Sequence, residues 1–552
     1  MHTSRASSML RAFFLSASVI LLSLSPRLVN AQDAPFEGLG GFTRPISTSS
    51  KDAQIWFDQG LAFMYAFNHD EAVRSFRRAA AADPAHPMPW WGVAIASGPH
   101  INNATLPENR NRVALDALSQ ARQRISAANT VERALLDALA SRYSDAPGAT
   151  RADLDARFAA AMAEVRTRYP EDPDVGAIYA ESLAELRPWD LWTQDGKAQP
   201  GTHALIAELD RVLAMAPLHP LANHLYVHAL EASPEPQRAD RAASVLRTLQ
   251  PGLGHMVHMP SHIDVRLGRW QLAIDSNTAA IAADDRYVAR VPSQGFYQLY
   301  MAHNRHLLVF AAMMSGQSEL ALQHVKAMAD AVPEQTYRNE PWADGLMAMP
   351  LEVQMRFGHW KDILATPPFP AYVPLSRSLQ HYARAVAFLA TGKIDEALME
   401  QRAFAEARAT LPEGAFFGNN ASADLLDVAE RVMHGEIAFR SGDIDRGLSL
   451  LAEAASREDA LRYDEPRDWI QPVRHPWGAA LLQAGRAGEA EAVFRRDLEI
   501  SPENGWALYG LMRSLQLQGR DAEAAAAEAR FDRAWKDADI RIKSPCLCLP
   551  GV

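Results

Sequence analysis

Seven of the chain's 18 histidines fall between His224 and His306: His224, His228, His255, His258, His262, His303 and His306. Imidazole is neutral near pH 7 and serves copper, zinc and iron as a ligand. His224/His228 and His258/His262 are spaced i,i+4, so on a helix each pair shares one face. Such a pair offers two nitrogens to one ion. Packed helices lie about 8–10 Å apart, so ligands from two of them can converge. Seven imidazoles exceed the needs of one ion and could serve two ions, three each. Glu231 follows His228 by three residues and is placed as a ligand or as a general base acting on bound water.

The elements that must carry these side chains are legible as repeats. Counting in 34s from Ala53 puts Trp56, Gly60, Phe63, Ala72, Phe76, Ala79 and Pro84 at positions 4, 8, 11, 20, 24, 27 and 32. Small Gly60 and Ala72 let two helices approach, Trp56 and Phe76 fill the gap, and Pro84 stops the second helix. Gly478, Leu481, Gly485, Ala490, Phe494 and Pro502 repeat the pattern from Gln471, and Gly519 follows Gly485 by 34 residues. Weaker units begin near Pro220, Gly254, Ala302, Ser378 and Val428. Irregular spacing predicts insertions at 288–301, 336–377 and 412–427. β-branched alternation is nearly absent.

This pattern resembles the tetratricopeptide repeat, a helix-turn-helix unit, and the resemblance implies an all-α superhelix, an α-solenoid of stacked hairpins. In that family the first helix of each unit lines the concave surface, chiefly through positions 2, 5, 9, 12 and 13. The frame puts His224, His228 and Glu231 at positions 5, 9 and 12 of one unit. It puts His255, His258 and His262 at positions 2, 5 and 9 of the next, and His303 and His306 at positions 2 and 5 of a third. All seven histidines then face one surface. Asn223 and Asn304 adjoin ligands and are placed to orient imidazole N–H groups. His100, in Gly98-Pro99-His100-Ile101-Asn102-Asn103, can join them if the superhelix curls. His381 and His434 fall at packing positions, His69, His324 and His359 in turns or second helices, and His475 on the concave side of a distant unit.

Several segments together resemble a family of exported bacterial tetratricopeptide-like proteins. They are Phe67-Asn68-His69-Asp70-Glu71-Ala72, Asn223-His224-Leu225-Tyr226-Val227-His228-Ala229-Leu230-Glu231, His258-Met259-Pro260-Ser261-His262 and His303-Asn304-Arg305-His306. The resemblance covers nearly the whole mature chain and implies the fold and the histidine site rather than a reaction. His-Glu-x-x-His, Gly-x-Ser-x-Gly, a phosphate-binding Gly loop and Cys-x-x-Cys-His are all missing, so any catalysis rests on the histidines.

Composition narrows the function classes. With 48% hydrophobic and 22% charged residues this is an ordinary folded chain, and its 552 residues are too many for one compact core. A net charge of -11 argues against nucleic acid as a partner. The first 31 residues read as a secretory signal: Arg5 and Arg11, the apolar run Ala12 to Leu24, Pro26 and then Val29-Asn30-Ala31. Cleavage before Gln32 removes Arg5, Arg11 and Arg27 and leaves 52 basic against 66 acidic residues. The mature chain is expected to be periplasmic or secreted and free of the membrane. Residues 32–52 read as a flexible lead-in, 53–219 as N-terminal repeats, 220–335 as the His-rich repeats and 336–540 as C-terminal repeats. Tyr463-Asp464-Glu465-Pro466-Arg467-Asp468-Trp469 reads as an inter-repeat loop. Residues 541–552, with Cys546 and Cys548, read as a disordered tail, or alternatively as a soft-metal clip.

The sequence thus predicts a metal-dependent oxidoreductase in which His224, His228, His258, His262, His303, His306, His255 and His100 are candidate ligands and Glu231 is the candidate catalytic group. Copper is the favoured metal, with zinc or iron as alternatives. The alternatives in function are a hydrolase-type enzyme on zinc or iron and a non-catalytic scaffold binding peptide or metal. The concave groove would hold a small molecule or a peptide. The sequence does not set the oligomeric state.

Overall fold

Helix propensity and the repeat landmarks produce helical hairpins between Lys51 and Ala534. The computed structural model describes residues 34–293 and 295–549, so the signal segment lies outside the described residues. Among them, strand is confined to one two-residue hairpin, Phe416–Phe417 against Asn420–Ala421. The architecture is an all-α superhelix of stacked helical pairs, as the repeat pattern predicts. No helix among the described residues is long and apolar enough to cross a membrane.

The first hairpin pairs Lys51–Tyr65 with His69–Ala82. Phe76 is fully buried, and a Cβ added at Gly60 or Gly92 would meet its ring at 2.5 Å or 2.3 Å. Glycine is therefore required where three helices close on one aromatic ring. Phe494 repeats the device between Gly478 and Gly510, where an added Cβ would meet the ring at 2.3 Å from either side. The hairpin turns use a left-handed residue just after the first helix. Gly268, Gly316, Gly392, Gly442, Gly485 and Gly519 occupy it with φ between 70° and 91°. In the first hairpin the same place is taken by Phe67, at φ 57°.

The His-rich repeats depart from a plain hairpin at one point. Gly254–His258 and Pro260–Arg266 are separate short helices, because Pro260 has no N–H to continue the ladder. Trp270–Arg290 packs behind them, and Gln298–Met314 follows.

Three expectations are corrected. Residues 35–50 form an ordered strap rather than a flexible lead-in. Arg44 bonds Asp172 and Asp174 at 2.9 Å, Ser47 N donates to Glu132 at 2.7 Å, and Gly252 N donates to Gly38 O at 2.8 Å. The stretch 336–377 is not a plain insertion but holds another short helical pair, Met349–Arg356 and Trp360–Ala365, turned at Gly358 with φ 71°. The tail is not disordered through Leu549: Cys548 and Leu549 are buried in the C-terminal core, and Cys546 and Cys548 form a disulfide.

The packing of the two aromatic wedges gives a direct test. Phe76→Ala and Phe494→Ala should each destabilise by ~3–5 kcal/mol, because the flanking glycines leave nothing to refill the space. Denaturant titration of each variant checks this, and a loss under ~1 kcal/mol would mean the rings are not structural wedges.

Candidate metal centre

Two groups of three histidines meet in the interior. His224, His228 and His255 form one and His258, His262 and His303 the other, with the ligand atoms of each group within 4.8 Å of one another. In the first group His224 Nε2 lies 3.1 Å from both His228 Nε2 and His255 Nε2. In the second, His258 Nε2 lies 2.7 Å from His262 Nε2, and the His303 ring centroid is 4.5 Å from that of His258. The groups adjoin: the ring centroids of His228 and His262, and of His255 and His258, are 5.7 Å apart.

The local backbone explains the convergence. His224 and His228 sit one turn apart on the buried helix Pro220–Glu231. His258 and His262 straddle the Pro260 break and still keep the i,i+4 relation. His303 comes from Gln298–Met314.

The outward ring nitrogens of His224, His228, His258 and His262 are committed to acceptors. His224 Nδ1–H donates to the Tyr65 carbonyl at 2.7 Å, and His228 Nδ1–H donates to Glu231 Oε1 at 2.8 Å. His262 Nδ1–H donates to Glu231 Oε2. His258 Nδ1–H donates to Asn277 Oδ1 at 2.6 Å, and Asn277 Nδ2 donates in turn to the Ala273 carbonyl at 2.8 Å, which fixes the amide. A committed Nδ1–H leaves the lone pair on Nε2. The Nε2 lone pairs of His224 and His228 therefore face each other at 3.1 Å, a repulsive contact that a cation at their focus removes. The donor set fits a metal ion.

Electrostatics follow from the burial. The pKa values of His224, His255, His258 and His303 are all pushed well below the usual imidazole range by burial and by neighbouring imidazoles. Burial also lowers His228, partly offset by Glu231. His262 is the exception: burial pulls it down, but Glu231, with help from Glu465 and Asp464, raises it. Burial would raise Glu231, yet His262 and His228 hold it at about 2.

Two expectations about the ligand set change. His255 completes the first group, where His306 had been expected alongside the pairs. His306 is half-buried, belongs to neither group, and its pKa falls to about 3 through burial. His100 is buried next to the first group without entering it. Its ring stacks on Phe67 at 4.6 Å and lies 4.3 Å from His69. Glu231 has both oxygens on imidazole Nδ1 atoms, which face away from the Nε2 foci, and it enters neither group. Asn223 donates to the carbonyls of Pro217 and His219, and Asn304 to Asp284, so neither orients a cluster imidazole. His475 bonds Asp497 at 3.0 Å and His381 bonds Glu400 at 2.7 Å, away from the centre.

Sequence reasoning missed four contributors. Asn277 and the Tyr65 carbonyl hold rings, and neither carries a sequence signal. Phe67 covers the first group, with ring centroids 4.4 Å from His224 and 5.7 Å from His255. An aromatic residue at a turn place that seven later hairpins give to glycine is a signal the repeat frame contained. The acidic loop Tyr463–Trp469 is more than a connector. Together with Trp189, His228 and Glu231 it lines a cavity of about 840 Å³. Trp189 stands edge-on to His228 at 5.6 Å.

No family model matches the chain, and no curated protein matches it. Solved helical-repeat structures overlap it loosely. A human IFIT1 dimer with m7Gppp-AAAA is 13% identical, with a TM-score of 0.32 over 89% of this chain and 91% of that one. Yeast Tom70 is 11% identical, with a TM-score of 0.25 over 87% and 90%. The P58(IPK) TPR domain is 12% identical, with a TM-score of 0.20 over 85% and 99%. Likeness this loose says nothing of the site, and the fold stands on the hairpins themselves.

The buried neutral imidazoles make the metal-free protein sensitive to acid. In the unfolded chain these groups protonate near pH 6.5, and in the fold they resist it, so their contribution is present above pH 6.5 and lost below it. His262, whose pKa is raised, works in the opposite direction but is one group against several. Thermal unfolding of the metal-free chain should therefore show Tm falling from pH 7.5 to 5.5. A Tm unchanged over that range would contradict the burial of neutral rings.

Proposed function

We propose that the protein is an exported metal-dependent oxidoreductase built on a tetratricopeptide-like scaffold, with two copper ions held by three imidazoles each. The observation that carries this reading is the pair of three-histidine groups, with the Nδ1–H atoms of His224, His228, His258 and His262 committed and no carboxylate oxygen at either Nε2 focus. His224, His228 and His255 would hold one ion, and His258, His262 and His303 the other. Bound copper supplies one-electron redox chemistry at each focus.

The donor set favours copper over the alternatives. Iron sites with open positions pair two histidines with a carboxylate, and Glu231 has no oxygen free to serve. A zinc hydrolase needs a base beside the ion, and Glu231 is again committed. Burying two divalent ions among neutral rings with one carboxylate between the groups is also costly, and cuprous ions halve that charge.

The protein's own residues prepare the site. Glu231 and Asn277 fix ring orientation, and Phe67 and Tyr300 pack on the first group and keep water from it. The 840 Å³ cavity reaches the edge of His228 and is the place for a small molecule or a peptide segment. The signal segment supports an exported, oxidising setting. The resemblance to exported bacterial tetratricopeptide-like proteins agrees with it.

Protein purified without a histidine tag and titrated with copper(I) against a competing chelator tests the reading. Two equivalents per chain are expected. His224→Ala and His258→Ala should each remove one tight equivalent, an affinity loss of at least ~100-fold, while helical content stays near wild type. A chain that holds no copper tightly, or holds zinc instead, would overturn it.

A further inference from the structure

The cavity beside His228 has a chemistry of its own. Its walls carry Trp189, Trp192, Tyr463 and Trp469, drawn from two distant parts of the chain. Aromatic faces of this density select a flat ring. Trp189 also has φ 57°, a conformation that a bulky aromatic residue adopts only when its surroundings force it. Such outliers cluster where a ligand is clamped. Its ring stands edge-on to His228, so a ring held on Trp189 lies next to the first histidine group.

Charge decides what the ring must carry. The wall contains acids and bases, and nearly all are answered. Asp190 pairs with Arg187 at 2.9 Å, Asp195 with Lys197 at 2.6 Å, Asp459 with Arg474 at 2.6 Å and Glu499 with Arg496 at 2.7 Å. Asp468 accepts from Asn420 at 2.7 Å and from Asn419 N at 3.1 Å, and burial and Asp464 push its pKa well above the carboxylate range. Arg266 donates to the carbonyls of Glu231 and Ser233. Arg467 differs. It lines the cavity half-buried, makes no hydrogen bond or ion pair with any described residue, and interacts with Glu458 only at longer range. Burial also raises Glu458, to about 7, which weakens even that interaction. A guanidinium with all its donors free beside an aromatic wall is a fork for a carboxylate.

We propose that the cavity binds an aromatic carboxylic acid, its ring on Trp189 beside His228 and its carboxylate on Arg467. That this ligand is the substrate rests on the oxidoreductase reading, but its binding does not require metal.

The test is calorimetric titration of the full metal-free chain with hydrocinnamate and with its uncharged amide. The acid should bind at least ~tenfold more tightly than the amide, the share expected of a charge-assisted bidentate contact. Arg467→Gln should abolish that preference and leave the amide unchanged. Trp189→Gly suits the left-handed backbone while deleting the ring, and it should weaken both ligands ~tenfold or more. Equal binding of acid and amide to the wild-type chain would overturn the proposal, and so would an Arg467→Gln variant that keeps its preference for the acid. Should Trp189→Gly fail to fold, the wild-type ligand pair and Arg467→Gln still decide the question. A chain that shows this binding but takes up no copper would reject the oxidoreductase reading and leave the binding proposal standing.

Discussion

Glu231 accepts hydrogen bonds from His228 on one oxygen and from His262 on the other, and those two histidines belong to different groups. One carboxylate therefore fixes the relative position of the two foci. It is 1% exposed, and burying such a charge alone would be prohibitive. The two imidazoles answer it and hold its pKa near 2. Removing one side of a buried pair of this kind costs ~3–5 kcal/mol, so the rings and the carboxylate stand or fall together. The helix Pro220–Glu231 carries three of the participants, which makes it the rigid edge from which the rest of the site is measured.

Around that edge the fold gives up local stability for the site. The hairpin turn that other repeats fill with glycine holds Phe67 in the left-handed region, where a side chain of this size costs ~1–2 kcal/mol. Its ring stacks on His100 and covers His224, His228 and His255. Trp189 makes a second such exception on the cavity side of His228. Glu503 is the remaining non-glycine residue with positive φ among those described, and it lies outside the site. Backbone strain is thus concentrated on the two aromatic residues that flank the first histidine group. Conformational strain at a site rather than in the scaffold is what a functional constraint produces.

Much of this was legible in the residues. The Phe76 and Phe494 landmarks fixed the hairpins, because a glycine on either side of a buried ring leaves one way to pack them. The i,i+4 spacing of His224/His228 and His258/His262 placed each pair on one face. His255, which the register put on the shared surface, does join the first group, while His306, one turn beyond His303, belongs to neither. Asn277 and the Tyr65 carbonyl could not be read, since a backbone acceptor has no residue signature and an asparagine on a second helix looks like any other. The strap 35–50 and the tail 541–549 were taken for loose ends because their contacts are long-range: Arg44 reaches Asp172, and Cys548 packs among residues far earlier in the chain. Composition reports what a segment is made of and not what it lies against.

The central claim is that six imidazoles form two foci for metal. A crystal structure of the copper-loaded chain, with anomalous data collected at the copper edge, tests it most directly. The account predicts two peaks, one in each group, each about 2.0–2.1 Å from three imidazole nitrogens and with Glu231 still bonded to both Nδ1 atoms. A single peak shared by all six rings, or copper bound only at exposed histidines such as His359, would contradict it.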